Sequence, residues 1–195
     1  DDLSRGLGDV YKRQVVASAI GGSSNATTHL LAIAKHMGIK FDLSNWQKLG
    51  HKIPLLVDCQ PAGKYLMEGF YKAGGIPAVM KELIKNKKLN TKVKTVTGKN
   101  LGENLKSKIK VNSKVIKTFK KNLSQNAGFL VLRGNFFNSA IMKTSVISDE
   151  FKKRYLSDRD RPNSFICKAV VFEGPEDYHK RINSKKLNID EKSIL

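Results

Sequence analysis

The feature that most constrains this chain is a change in the spacing of its apolar residues partway along. Up to about residue 90 they recur every three or four positions, as in Leu30, Ile33, Ala34 and Met37, the period of an amphipathic helix. From Val115 onward they gather in short runs rich in β-branched and aromatic residues, "VIKTF", "GFLVLRG", "SAIMKTSVIS" and "FICKAVVFEG", separated by polar turns. A chain built this way must bury helix faces in its first half and strand faces in its second. The expected fold class is therefore α/β followed by β, with the boundary between residues 95 and 110 and the later strands forming a small barrel or sandwich.

Glycine and proline punctuate the first half. The apolar run Val15 to Ile20 ends at Gly21-Gly22, and Ser23, Ser24 or Asn25 is placed to cap the helix that follows, which Gly38 stops. A short helix capped by Ser44 comes next, then a strand near Ile53 to Val57 that ends at a turn containing Pro61. Two more helices are interrupted by Gly74-Gly75, with Pro77 suited to the first turn of the second. A turn at Gly98 and a short helix lead into the strand-rich half, where Pro175 opens a further helix.

Residues 1–14 follow no such pattern. "DVYKRQ" matches one reading frame of a transposase end sequence used in preparing sequencing libraries, so the segment is expected to be non-native and the native chain to start at about Val15, in mid-element. The ending in "SIL" reads as mid-strand. Both suggest an internal fragment, to be divided as 15–100 and 101–195.

Composition narrows the chemistry. Forty per cent hydrophobic residues in 195 are enough for a core. No run of eighteen apolar residues appears, so no membrane span and a cytoplasmic location are expected. Cys59 and Cys167 stand far apart without a second cysteine at ligand spacing, which argues against a disulfide framework or a self-contained zinc or iron–sulfur site. The net charge of +19 invites a lysine-rich RNA- or polyanion-binding module as the alternative function. Lysine and asparagine dominate while arginine and aromatics are scarce in the most basic stretches, and a solubilising surface accounts for that pattern.

Histidines at 29, 36, 51 and 179 have no ligand partner at metal spacing. No nucleophile elbow, zinc-protease motif or phosphate loop is present. The nearest thing to a binding loop is "GGSSNA", where glycines permit close approach and a helix N-terminus favours a carboxylate or phosphate. A glycine turn with an ordinary cap explains the same residues. Arg133, after an apolar strand, is placed either to meet an anion or to lock a strand-to-turn corner.

Five segments in order, "GGSSNATTHLLAIAKHMGI", "IPLLVDCQPAGKYLMEGFYKAGGIPAVMKEL", "TVTGKNLGEN", "VLRGNFFNSAIMKTS" and "AVVFEGPEDYHKRIN", resemble the middle of the dihydroxy-acid dehydratase (IlvD/Edd) family. The stretch "SVISDEFKKRYLSDRDRPNSF" looks more like its sugar-acid branch, the arabinonate, xylonate and gluconate dehydratases. The resemblance implies a hydro-lyase that removes water from a 2,3-dihydroxy acid to give a 2-keto-3-deoxy acid. It also implies the end of a cluster-bearing α/β domain followed by the first part of a C-terminal β-barrel. An iron–sulfur cluster, magnesium and a serine base are implied for the full-length enzyme, a homo-oligomer acting on a small sugar acid with neither nucleic acid nor membrane as partner. The family's ligand motifs do not occur here, Cys59 and Cys167 lie outside them, and this chain alone is expected to be inactive. Ser23, Ser24 and Asn25 are the expected substrate-binding residues.

Overall fold

A computed structural model describes residues 2–161 and 164–195, with side-chain surroundings from Val10 onward. Asp1 of the set-aside segment, and Pro162 and Asn163 of the stretch that resembles the sugar-acid branch, lie outside the described residues. The chain separates into two compact units, Asp1–Val146 and Ile147–Leu195.

In the first unit, α1 (Asp2–Ala19), α2 (Asn25–His36), α3 (Leu43–Gly50), α4 (Met67–Lys72), α5 (Gly75–Lys85) and α6 (Leu101–Asn104) account for the helical spacing of the sequence. Helix α1 runs through the segment set aside above, and its Val10 and Gln14 are buried. The amide of Gln14 donates to the carbonyl oxygens of Trp46 and, at 3.4 Å, Asn45, fastening α1 to α3.

Two apolar clusters share α1. Val15, Val16 and Ala19 join Ile53, Leu56, Val57, Phe70, Val79, Leu83 and Ile116 in the larger one. Val10 joins Leu30, Ala34, Phe41, Trp46 and Phe129 in the smaller one, where the Trp46 ring meets Phe41 and Phe129 edge-on at 6.0 and 5.5 Å.

Helix α3 corrects one expectation. Its cap is Asp42, whose Oδ1 accepts the Asn45 N–H at 3.0 Å, while the Asn45 side chain accepts the Asp42 N–H at 3.3 Å. Ser44 instead donates its hydroxyl to Asp42 Oδ1 at 2.6 Å. A carboxylate accepts more strongly than a hydroxyl, and it stands at the position where the backbone is still extended. These bonds hold the Asp42 carboxyl below its ordinary pKa, the Ser44 hydroxyl contributing most.

The expected strands are shorter than the apolar runs. Residues 53–57 are extended and buried, yet they pair through the isolated bridges Leu55–Ser124 and Val57–Ile116 rather than a continuous ladder. The Val57–Ile116 bridge is made by the Asp58 N–H donating to Val115 O at 2.9 Å and the Lys117 N–H donating to Leu56 O at 2.7 Å, while the Leu56 N–H goes elsewhere, to Ala19 O at 2.8 Å. The run "VIKTF" turns into a 3-10 segment at Phe119–Lys121. True ladders form at β1 (Phe129–Leu132) and β2 (Ala140–Lys143), antiparallel, with Phe129 opposite Lys143.

The second unit contains α7 (Asp149–Tyr155), β3 (Lys168–Ala169), α8 (Pro175–Arg181) and β4 (Ser193–Ile194). Strands β3 and β4 pair in parallel, and the connection between them contains α8. Among the described residues the sheets are two-stranded and none closes into a barrel. The observed class is mixed helix with small sheets.

Candidate functional site

The turn after α1 depends on a backbone shape that few residues adopt. Gly21 has φ +64°, and a Cβ there would stand 2.8 Å from Leu55 Cδ1. The chain then enters α2 through Ser23 and Ser24. Ser24 occupies the cap position without accepting a side-chain bond, and Ser23 Oγ takes the Asn25 N–H at 3.2 Å. The N–H groups of Ala26 and Thr27 donate to Ser23 O and Ser24 O at 3.1 and 3.0 Å. The amides of residues 25–27 are thus spent on the turn itself.

Facing this turn is the loop Asp58 to Tyr65, which folds back on itself. Gln60 N–H donates to Tyr65 O at 2.8 Å, Tyr65 N–H to Asp58 O at 3.1 Å, and Lys64 N–H to Asp58 Oδ1 at 2.8 Å. The Gln60–Pro61 peptide is cis. Gly63 lies so near the loop's start that a Cβ would come within 2.5 Å of the Asp58 carbonyl carbon and the Cys59 nitrogen.

Turn and loop enclose a cavity of about 610 Å³ whose lining includes Gly21, Gly22, Ser23, Ser24, Cys59, Gln60, Pro61, Phe70 and Lys143. Of the three residues expected to bind substrate, Ser23 and Ser24 belong to this lining. Asn25 is exposed and is not part of the lining. Arg133 is also exposed, and its charge acts on Asp42 at the start of α3 rather than on the cavity.

Lys143, from β2, was not singled out by the sequence. It is half-buried, and burial pushes its ammonium below the ordinary lysine pKa, because removing water penalises the charged form. Ser145, just beyond it, has a buried hydroxyl without a hydrogen-bond partner among the described residues.

The other titratable candidates do not assemble into a centre. His29, His36 and His179 are exposed. His51 is half-buried, with its pKa lowered by burial and then by the charge of Lys52. Cys59 is buried, its sulfur 3.6 Å from that of Met67, and Cys167 belongs to the other unit. Among the described residues no group of three or more His, Cys, Asp or Glu side chains is placed to hold a metal ion. Among the described residues the donors do not fit an iron–sulfur cluster or a carboxylate-bound magnesium.

Comparison with known proteins places the chain along a longer one. Residues 13–104 match the model of the dihydroxy-acid/6-phosphogluconate dehydratase N-terminal domain, and residues 114–195 match that of the C-terminal domain. A D-xylonate dehydratase of Caulobacter vibrioides is 48% identical over 193 residues, 96% of this chain and 32% of that protein. An L-arabinonate dehydratase of Rhizobium leguminosarum is 39% identical over 181 residues, 91% of this chain and 29% of the relative. A dihydroxy-acid dehydratase of Cytophaga hutchinsonii is 39% identical over 122 residues, 62% of this chain and 22% of that protein. The chain spans about a third of the length of the curated relatives it matches.

Proposed function

The chain belongs to the dihydroxy-acid/6-phosphogluconate dehydratase family, and from that premise we propose that it is part of a sugar-acid dehydratase, a hydro-lyase converting a 2,3-dihydroxy aldonic acid to its 2-keto-3-deoxy product. The observation that carries this reading is the 48% identity to a D-xylonate dehydratase along nearly the whole chain, together with two domain models of one family in order.

In this reading Ser23 and Ser24 offer hydroxyls to the polyhydroxylated acid from the turn before α2, and Asn25 supports the turn or reaches the acid in the complete enzyme. The iron–sulfur cluster, which supplies Lewis acidity toward the departing hydroxyl, and magnesium are held by residues outside these 195. Residues 101–195 supply the linker and first strands of a C-terminal barrel. The full-length enzyme is a cytoplasmic homo-oligomer acting on a small molecule. Among the described residues no helix is long and apolar enough to cross a membrane.

The test is turnover by the full-length, cluster-loaded enzyme containing this segment, with D-xylonate and L-arabinonate as substrates and the 2-keto-3-deoxy product measured. Formation of that product supports the assignment; no product from any 2,3-dihydroxy acid rejects it. Replacing Asn25 with Ala is expected to lower kcat or raise KM at least about tenfold, a loss of transition-state or ground-state interaction. Unchanged kinetics would reduce Ser23, Ser24 and Asn25 to elements of a helix cap.

A further inference from the structure

We propose that Lys143 is an anion-binding residue of the cavity between the Gly21–Ser24 turn and the Cys59–Pro61 loop, its ammonium holding the carboxylate of a small polyhydroxylated acid. The identity of that acid as the substrate rests on the dehydratase reading above; the geometry is independent of it.

Side chains alternate between the two faces of a strand, so Ile141 and Lys143 of β2 share one face. Ile141 packs against the aromatic cluster of Trp46 and Phe129. Lys143 is thereby directed to the same side as its neighbour, and it is one of the residues that line the cavity. The strand end is fixed immediately afterwards, where the Thr144 hydroxyl donates to Gly128 O at 2.5 Å and Asn126 O at 3.2 Å.

Among the described residues, Lys143 is the only lysine, arginine, aspartate or glutamate in the cavity lining. Its ammonium makes no hydrogen bond or ion pair among the described residues, and the fall in its pKa comes from burial alone. A half-buried cation without an internal anion is costly, and an anion brought by a ligand relieves that cost. The rest of the lining indicates what kind. Beside the apolar walls of Phe70, Met67 and Val57, the lining holds the polar side chains of Ser23, Ser24 and Gln60. One cation beside hydroxyl and amide partners suits a monoanion carrying several hydroxyls.

The experiment uses the full-length enzyme. Amine acetylation at Lys143, followed by peptide mass spectrometry, is compared without ligand, with D-xylonate and with inorganic phosphate. Protection by D-xylonate but not by phosphate is expected. K143Q should raise KM for the acid at least about tenfold with kcat changed far less, and K143R should recover part of the affinity by keeping the charge. Equal labelling with and without D-xylonate, in an enzyme that dehydrates it, overturns this inference and leaves the dehydratase reading standing. Equal protection by phosphate, or a KM for K143Q within about twofold of wild type, also overturns it. Absence of turnover on every 2,3-dihydroxy acid instead removes the reading on which the substrate's identity rests. If K143Q does not fold, the labelling of the wild-type enzyme decides.

Discussion

Each of the two units is stabilised within itself by a different force, although both are rich in lysine. In Asp1–Val146 burial dominates: Trp46, Leu56, Val79 and Leu83 are fully enclosed, and α1 is shared by two apolar clusters. In Ile147–Leu195 only Val170 counts among the buried apolar residues described, while Ile166 and Val171 remain more than 70% exposed. Its order comes from local chemistry. Ser148 accepts the Phe151 N–H at 3.1 Å to start α7, with Asp149 and Glu150 in the first turn and Lys152, Lys153 and Arg154 in the last, matching the helix dipole. Phe151, Tyr155 and Phe165 stack on one another at 4.8 to 6.2 Å between centroids, and Arg181 binds Asp177 at 2.6 Å while lying over the Phe172 ring. Similar surface composition thus conceals two regimes, one set by area removed from water and the other by caps, rings and ion pairs worth a fraction of that each.

The comparison is broken most directly at Phe129. Truncation to Ala removes the ring that meets Trp46 and is expected to cost the first unit about 3–5 kcal/mol, read from urea denaturation followed by Trp46 fluorescence. A loss comparable to that of a surface substitution would mean burial is not what holds this unit. Gly63→Ala comes next, since the Cβ would meet backbone atoms that cannot swing away; a cost of about 2–3 kcal/mol and weakened substrate affinity are expected by thermal melting and steady-state kinetics. In the second unit the largest single effect expected is smaller. Ser148→Ala should destabilise α7 by about 1 kcal/mol, seen as faster amide exchange at residues 151–155.

The smallest effect is a pH dependence at His51. Burial lowers its folded pKa beneath the ordinary 6.5, so the neutral ring is the one the fold accepts. Stability from this group is complete above 6.5 and is lost as pH falls through 6.5 toward the lower folded value. The urea midpoint should therefore decline between about pH 7 and pH 5, and His51→Gln should flatten that decline.

Most helices of the first unit were legible because glycine, proline and short polar residues mark their ends. Gly38 and the Gly74-Gly75 pair interrupt the helical spacing where the backbone has positive φ. The cap of α3 was misread because Asp42 and Ser44 are both good caps, and only the three-dimensional order shows the serine donating to the aspartate. Strand runs overstated the sheet: residues 53–57 are apolar throughout because they cross a core, and burial does not require a continuous ladder. Helix α7 was hidden in a stretch read only for its family likeness, even though Ser148 with its acidic first turn and basic last turn carries a helix signature. At the site, the glycine turn and the serines were visible as a motif. Lys143 was not, because one inward lysine cannot be told from dozens of solvated cations by composition; the available signal was its two-residue spacing from Ile141.

That lysine also differs from the others in how far its charge is felt. At physiological ionic strength mobile counterions fade the field of an exposed ammonium over roughly 8 Å, whereas a cation behind apolar walls is shielded much less. If Lys143 holds an acid as proposed, attraction toward the incoming acid should weaken as salt rises, while the grip on an acid already seated in the cavity changes little: an off-rate nearly indifferent to ionic strength, and an on-rate that is not.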